Sequence, residues 1–282
     1  MSILTNRLNT TIVSTTESEK EVSNGTSPAY PFIGIRAGGA LLINDTTLNI
    51  STLKGTDNQK VHAGIGASTG KAVIENCTLD IDAATNGILA SNEPLLLKSC
   101  NLEITGGHTA GIVNQFSSID LVDCVGSIDC TGSESGSSVG ITAQRTNGKI
   151  SLTNCELSLE ADLYGIMSLA NDVHIASSQI DFPSALSYGI YAVNALDITN
   201  NSTINGENCT FACRIPAAKG CNVDNTSTVN GLQIYNGTST VMALGNVYRN
   251  ATYAESLGKN LAGRTFIVAP DAKFTIEEDA TF

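Results

Sequence analysis

Between residues 32 and 204, apolar and polar residues alternate in short runs, and the runs return in the same order. The stretch SYGIYAVNALDITNNSTI at 187–204 shows most of the unit: one run broken by a glycine, a second ending in an asparagine turn, and the start of a third. Aligned on YGIYA, the other copies are IGIRA, AGIGA, NGILA, AGIVN, VGITA, YGIMS and NGLQI. Their glycines are Gly34, Gly64, Gly87, Gly111, Gly140, Gly165, Gly189 and Gly231, with successive spacings of 30, 23, 24, 29, 25, 24 and 42. The period is therefore 23–25 residues with three longer connections. Each glycine is followed by Ile or Leu, and two positions further on most copies carry Ala, Asn or Ser.

The same register continues within each copy. A second alternating pair follows, such as Leu95/Leu97 or Val173/Ile175. Then comes a polar turn residue: Asp45, Asn76, Ser99, Asp123, Asn154, Ser177 or Asn200. A third pair, such as Leu79/Ile81 or Ile180/Phe182, closes most copies. Period two in all three runs, with no helical period between them, predicts three short strands per copy. Equivalent strands two dozen residues apart stack at about 4.8 Å and make three parallel sheets. About eight coils give a rod of roughly 35–40 Å. The predicted fold is an all-β, single-stranded parallel β-helix, with ladders of Ile, Ala and other aliphatic residues inside.

These repeats make the chain resemble the right-handed pectate-lyase-like superfamily, over residues 32–204 and more loosely over 205–240. In character it is similar to non-catalytic carbohydrate-binding β-helix domains of bacterial surface proteins. The resemblance implies a right-handed coil and makes a polysaccharide or cell-surface glycan the expected partner. Residues 1–31 are expected to cap one end, with NTTIVSTT (9–16) packing over Leu42 and Val73; residues 32–240 form the β-helix. Residues 241–282 are expected to close the other end with a helix and a strand, ATYAESLGKNL (251–261) being the helical stretch.

Parity assigns the outward faces. On the glycine sheet they are Arg36, Gly66, Leu89, Val113, Thr142, Met167, Tyr191 and Gln233. The apolar middle of this stripe is either covered by another segment or a platform for a sugar ring resting on Tyr191 and Met167. Gln144, Arg145, Asn147 and Lys149, in a nearby loop, offer hydrogen bonds to hydroxyls or a charge for a uronate. On the second sheet, Leu42, Val73 and Leu96 precede Asp120, Ser151, His174 and Asp197, a face read as structural. On the third sheet, Asp80 and Glu103 fall one rung apart. They are read as part of a solvated acidic face, with calcium as the alternative ligand.

Four of the eight cysteines, Cys77, Cys100, Cys124 and Cys155, occupy one repeat position, shared with Thr46, Ser178 and Asn201. In-register neighbours point their Cβ atoms alongside one another, so free buried thiols are expected rather than disulfides. Cys209, Cys213 and Cys221 fall where the repeat slips, and there a bridge or a metal stays open. Eleven N-x-[ST] sequons, two of them in tight turns, are read as turn asparagines rather than glycan attachment sites.

A net charge of −12, without clustered Lys or Arg, argues against nucleic acid. No stretch approaches the length of a transmembrane helix, and MSILTNRLNTT lacks the apolar core of a signal peptide. The expected setting is extracellular or on the cell surface, as part of a longer protein with flanking domains. Enzymes of the resembled superfamily use either a calcium-binding carboxylate cluster with an Arg or Lys base, or NTD, DD, GHG and RIK segments. None of these occurs here, so catalysis ranks below a glycan-binding role and below an adhesive or structural stalk.

Overall fold

The computed structural model describes residues 9–14, 32–52, 62–83, 85–106, 109–133, 135–145, 148–216, 221–236, 241–244, 251–253, 268 and 273–276. Over this range the chain winds into a right-handed parallel β-solenoid of three sheets. The second sheet has eight strands, one per coil, stepped through seven rungs. Strands that follow one another in the chain lie in different sheets, and each pairs with its equivalent one coil away.

The interior is built from columns. Ile88 lies opposite Ile112, Ile112 opposite Ile141, Ile141 opposite Ile166 and Ile166 opposite Ile190, all at most 1 % exposed. Strands of the other sheets bury alternate residues, as in Ala72–Glu75 and Thr78–Asp82. Burying each such aliphatic side chain contributes roughly 1.5–3 kcal/mol, and a column repeats that contribution at every rung. Where the Ala column carries a polar residue, that residue ties down the adjoining corner. Asn114 donates to the carbonyls of Glu93 and Ser118 and accepts from the N–H groups of Phe116 and Ser117. Ser168 donates to the Gly148 and Asn171 carbonyls.

The polar turn residues are the corners between the second and third sheets. Asp45, Asn76, Ser99, Asp123, Asn154 and Ser177 all adopt left-handed backbone angles, with φ between 52° and 54°. Asn and Asp tolerate this region best, which is why the corner is polar and short. Beneath each corner lies the position shared by Thr46, the four cysteines and Ser178. Its side chain donates to the carbonyl two residues back, as Cys77 does to Glu75 (3.1 Å), Cys100 to Lys98 (3.3 Å) and Ser178 to Ala176 (2.8 Å). In the next coil both Asn200 and Asn201 are left-handed, so this corner holds one extra residue, and Ser202 rather than Asn201 occupies the buried place. The seven cysteines whose side chains are described are all buried, and none forms a disulfide.

The recurrent glycine sits where the chain turns from the third sheet into the next coil. A Cβ on Gly111 would come within 2.2 Å of the Ile128 side chain and 2.8 Å of the Gly140 carbonyl oxygen. The alignment at Gly231 is corrected by the structure: Phe211–Ile215 is the next strand of the glycine sheet, so Ala212 takes the glycine place. The 42-residue gap therefore hides a whole coil, unseen because it lacks the marker glycine. Gln233 consequently lies opposite Cys213, in line with the inward Ile190, and is not part of the outward stripe.

Both ends also depart from expectation. Asn9–Ser14 pairs in parallel with Thr47–Thr52 and extends the third sheet by one strand, instead of covering Leu42 and Val73 on the second. At the other end, Gln233–Asn236 pairs with Val241–Leu244 in the antiparallel sense. Ala251–Tyr253, expected to begin a helix, is a strand paired with Phe274–Ile276, and 254–261 lie outside the described residues.

Three measurements check this account. Gly111→Ala should cost about 1–3 kcal/mol by overpacking, whereas Gly38→Ala, with nothing within 4 Å of the added carbon, should be near neutral in chemical denaturation. Ser99→Asn should raise the thermal midpoint slightly, since Asn fills the same left-handed corner in other coils. The third concerns Asp224, which accepts hydrogen bonds from the Asn200 N–H (2.7 Å) and from Thr226. The Asn200 N–H, then Ser227 and Thr226, hold its carboxyl at about 2, below the ordinary 3.8. A lowered folded-state value stabilises above the unfolded value and is lost as pH falls through the folded one. Asp224→Asn should therefore lower the midpoint at neutral pH and flatten the acid limb of its pH profile between about pH 4 and pH 2.

Candidate functional site

The residue before the glycine is Tyr164 in one coil, Tyr188 in the next and Phe211 in the one after, all in register. In-register repetition makes the rings stack. Tyr164 and Tyr188 lie 5.1 Å apart with planes 17° from parallel, and Tyr188 and Phe211 lie 5.5 Å apart at 19°. Tyr191 meets both tyrosines edge-on, at 5.4 and 5.7 Å. The chain changes direction at the intervening glycine, so Tyr188 and Tyr191, three residues apart, share one surface. Met167 pairs with Tyr191 across one rung.

The three tyrosines are half-buried, and Phe211 is buried. No hydroxyl of the three tyrosines is hydrogen-bonded to a described residue. Burial pushes the Tyr164 phenol up, and the neighbouring Tyr188 and Tyr191 add to the shift. The residues that precede the stacked rings, Leu163, Ser187 and Thr210, are uncharged. Further along the same face, Val113 and Thr142 are 2 % and 1 % exposed although they point outward. That part of the stripe is covered, while Leu89, Met167 and Tyr191 are only half-buried.

Of the residues singled out in the sequence, Met167 and Tyr191 come together. Gln144, Arg145 and Lys149 lie in the corner that follows Val139–Ala143, at the end of the sheet nearer Met167 and Tyr191, since Thr142 is in register with Met167 and Met167 with Tyr191; Tyr164, Tyr188 and Phe211 begin their strands at the other end. The Arg145 guanidinium lies 4.9 Å over the Phe116 ring, one coil back and away from Tyr191. Asn147 lies outside the described residues. Tyr164, Tyr188 and Phe211 were missed. The first two were visible as YG in two successive copies; Phe211 was hidden by the missing glycine.

Asp80 and Glu103 are in register on the third sheet, both exposed. Their neighbours along the column are Asn49 and Ser127, and among the described residues no three His, Cys, Asp or Glu side chains are grouped to hold a metal ion.

On the second sheet, Ser151, His174 and Asp197 occupy three successive rungs, with His174 Nδ1 3.1 Å from Asp197 Oδ2. The residue types are those of a nucleophile, base and orienting acid, but the geometry is incomplete. His174 Nε2 faces Asp172 at 3.9 Å, and the Ile150 and Val173 N–H groups are already bonded to Asp172 and Ala195 carbonyls. Backbone donors beside the serine are thus spent on the coil, leaving none for an oxyanion.

Among the described residues no helix is long and apolar enough to cross a membrane. Compared with known proteins, the chain matches no family model, no curated protein and no solved structure.

Proposed function

We propose that this chain is a non-catalytic carbohydrate-binding module of an exported surface protein, and that the glycan rests on the shelf of Tyr164, Tyr188 and Tyr191. The observation that carries the reading is the shelf itself: three phenol groups whose rings are held rigidly by mutual packing and whose hydroxyls lack partners among the described residues. Aromatic surface offers the C–H face of a sugar apolar contact at low conformational cost, while hydroxyls at the edge orient it. Arg214, in register with Tyr191 one rung on, is buried and donates to the Ile215 carbonyl, and Arg145 is engaged by Phe116; with both guanidinium groups occupied and the chain acidic overall, a neutral sugar is favoured over a uronate. Calcium at Asp80 and Glu103 would be an accessory to this role and is not required by it.

A stalk without ligand is the second reading. It is favoured by the stacked ring faces of Tyr164 and Tyr188, which are turned toward each other rather than to solvent.

Glycan-array binding with and without Ca²⁺, followed by calorimetry on the best ligand, separates the two. The binding module should lose roughly tenfold in affinity in Tyr191→Ala and in Tyr188→Ala, about 1.4 kcal/mol each. Tyr191→Ala should melt within a few degrees of the wild type. Failure of the wild type to bind any arrayed plant, microbial or host glycan would leave the stalk.

A further inference from the structure

The aromatic cluster uses most of its own ring surface. Tyr164 and Tyr188 face each other, the far side of Tyr188 faces Phe211, and the far side of Tyr164 is toward Val139, its partner one rung back. Tyr191 stands at 61° to Tyr164 and 75° to Tyr188, at nearly equal distances of 5.4 and 5.7 Å. A ring set steeply across two stacked rings meets both when they turn their edges to one of its faces. The opposite face of Tyr191 is the one that the four rings do not use among themselves, and it has room for a single sugar ring.

The surface on the two sides of Tyr191 is of opposite character. Toward the start of the strands lie the phenols of Tyr164 and Tyr188, whose hydroxyls have no partner among the described residues. Toward the end, alternation places Leu169 outward two residues after Met167, and Val193 outward two residues after Tyr191. Leu169 is 44 % exposed, while Met167 and Val193 are half-buried. The N–H groups of Leu169 and Val193 are spent on the Ala143 and Ser168 carbonyls. Gln144, one coil before Leu169, bounds this apolar patch, and the buried Arg214, one coil after Tyr191, donates to the Ile215 carbonyl. A ligand that fits is therefore hydroxylated along one edge and apolar along the other.

We propose that the bound unit is a 6-deoxyhexose, with a pyranose face on the free face of Tyr191, its ring hydroxyls toward the Tyr164 and Tyr188 phenols, and its C5 methyl group on Met167, Leu169 and Val193. The assignment rests on the shelf being the glycan site, and it adds which edge of the sugar faces which way. An ordinary hexose would lay O6 on the patch, where the hydroxyl gives up water and meets neither the Leu169 nor the Val193 N–H. An acetamido group also carries a methyl, but brings an N–H and a carbonyl that the patch leaves without partners. The C5 methyl is wholly apolar and gains from the same contact.

The test is NMR titration of the full chain with methyl glycosides that differ only at C6: L-fucoside against L-galactoside, L-rhamnoside against L-mannoside, and D-fucoside against D-galactoside. In at least one pair the deoxy sugar should bind about fourfold more tightly, the worth of one buried methyl group. Leu169→Ser, at an exposed position, should leave the thermal midpoint nearly unchanged and bring that ratio to about one. Tyr191→Ala should weaken both members of the pair. A wild type that binds arrayed glycans but none of these glycosides, that shows no preference for the deoxy member in any pair, or that keeps its preference in Leu169→Ser would overturn the assignment and leave the binding-module reading standing. A wild type that binds neither the glycosides nor any arrayed glycan would end both.

Discussion

Every feature of this chain follows from the requirement that equivalent residues of successive coils lie one strand spacing apart. At about 4.8 Å, side chains of one column touch their own copies, so each position must suit itself as well as its surroundings. Ile on Ile and Leu on Leu satisfy this inside. A residue too large for its rung has to be matched by a small neighbour, as Phe182 shows: its ring fills the space beside Gly165 and Gly189, and Gly206 follows it in the same column. The core is thus a bundle of one-dimensional packing problems, each solved along the axis.

The corners set the second constraint. The chain must reverse direction within one or two residues, and it does so through left-handed Asp, Asn or Ser. The buried side chain beneath then gives a second hydrogen bond to a carbonyl that already accepts a backbone N–H from the neighbouring coil. The sharp turn into the glycine sheet is solved differently, by removing a side chain so that the next coil's carbonyl can approach. Surface chemistry inherits the same periodicity. A ring placed once is isolated; placed in consecutive coils it becomes a shelf. Asp181, Asn205 and Asn230 show the polar version, hydrogen-bonded in sequence along the third sheet.

This also explains why the candidate site took the form it did. Tyr191 was legible because it lies at a plain outward position of an alternating strand. Tyr164 and Tyr188 were not, since strand parity sends the residue before the glycine inward; only the change of direction at the corner brings it out beside Tyr191. The loop of Gln144, Arg145 and Lys149 leaves its strand at the end where Met167 and Tyr191 lie, and there the Phe116 ring holds the Arg145 guanidinium toward the preceding coil.

From its sequence alone this protein is committed to three parallel sheets, to the columns of Ile112 and its copies, to the polar corners and to a buried row of free thiols. All of these follow from local alternation multiplied by a constant repeat, and a constant repeat makes residues far apart in the chain neighbours by counting. The tertiary structure alone decided what happens where counting fails. It placed Ala212 in a coil without its glycine, set Asn9–Ser14 on the third sheet, turned Ala251–Tyr253 into a strand, and gathered four aromatic rings at one corner. In each case the outcome depends on which backbone partner or which surface is available in space, and a periodic pattern carries no information about the ends or the exceptions of its own repeat.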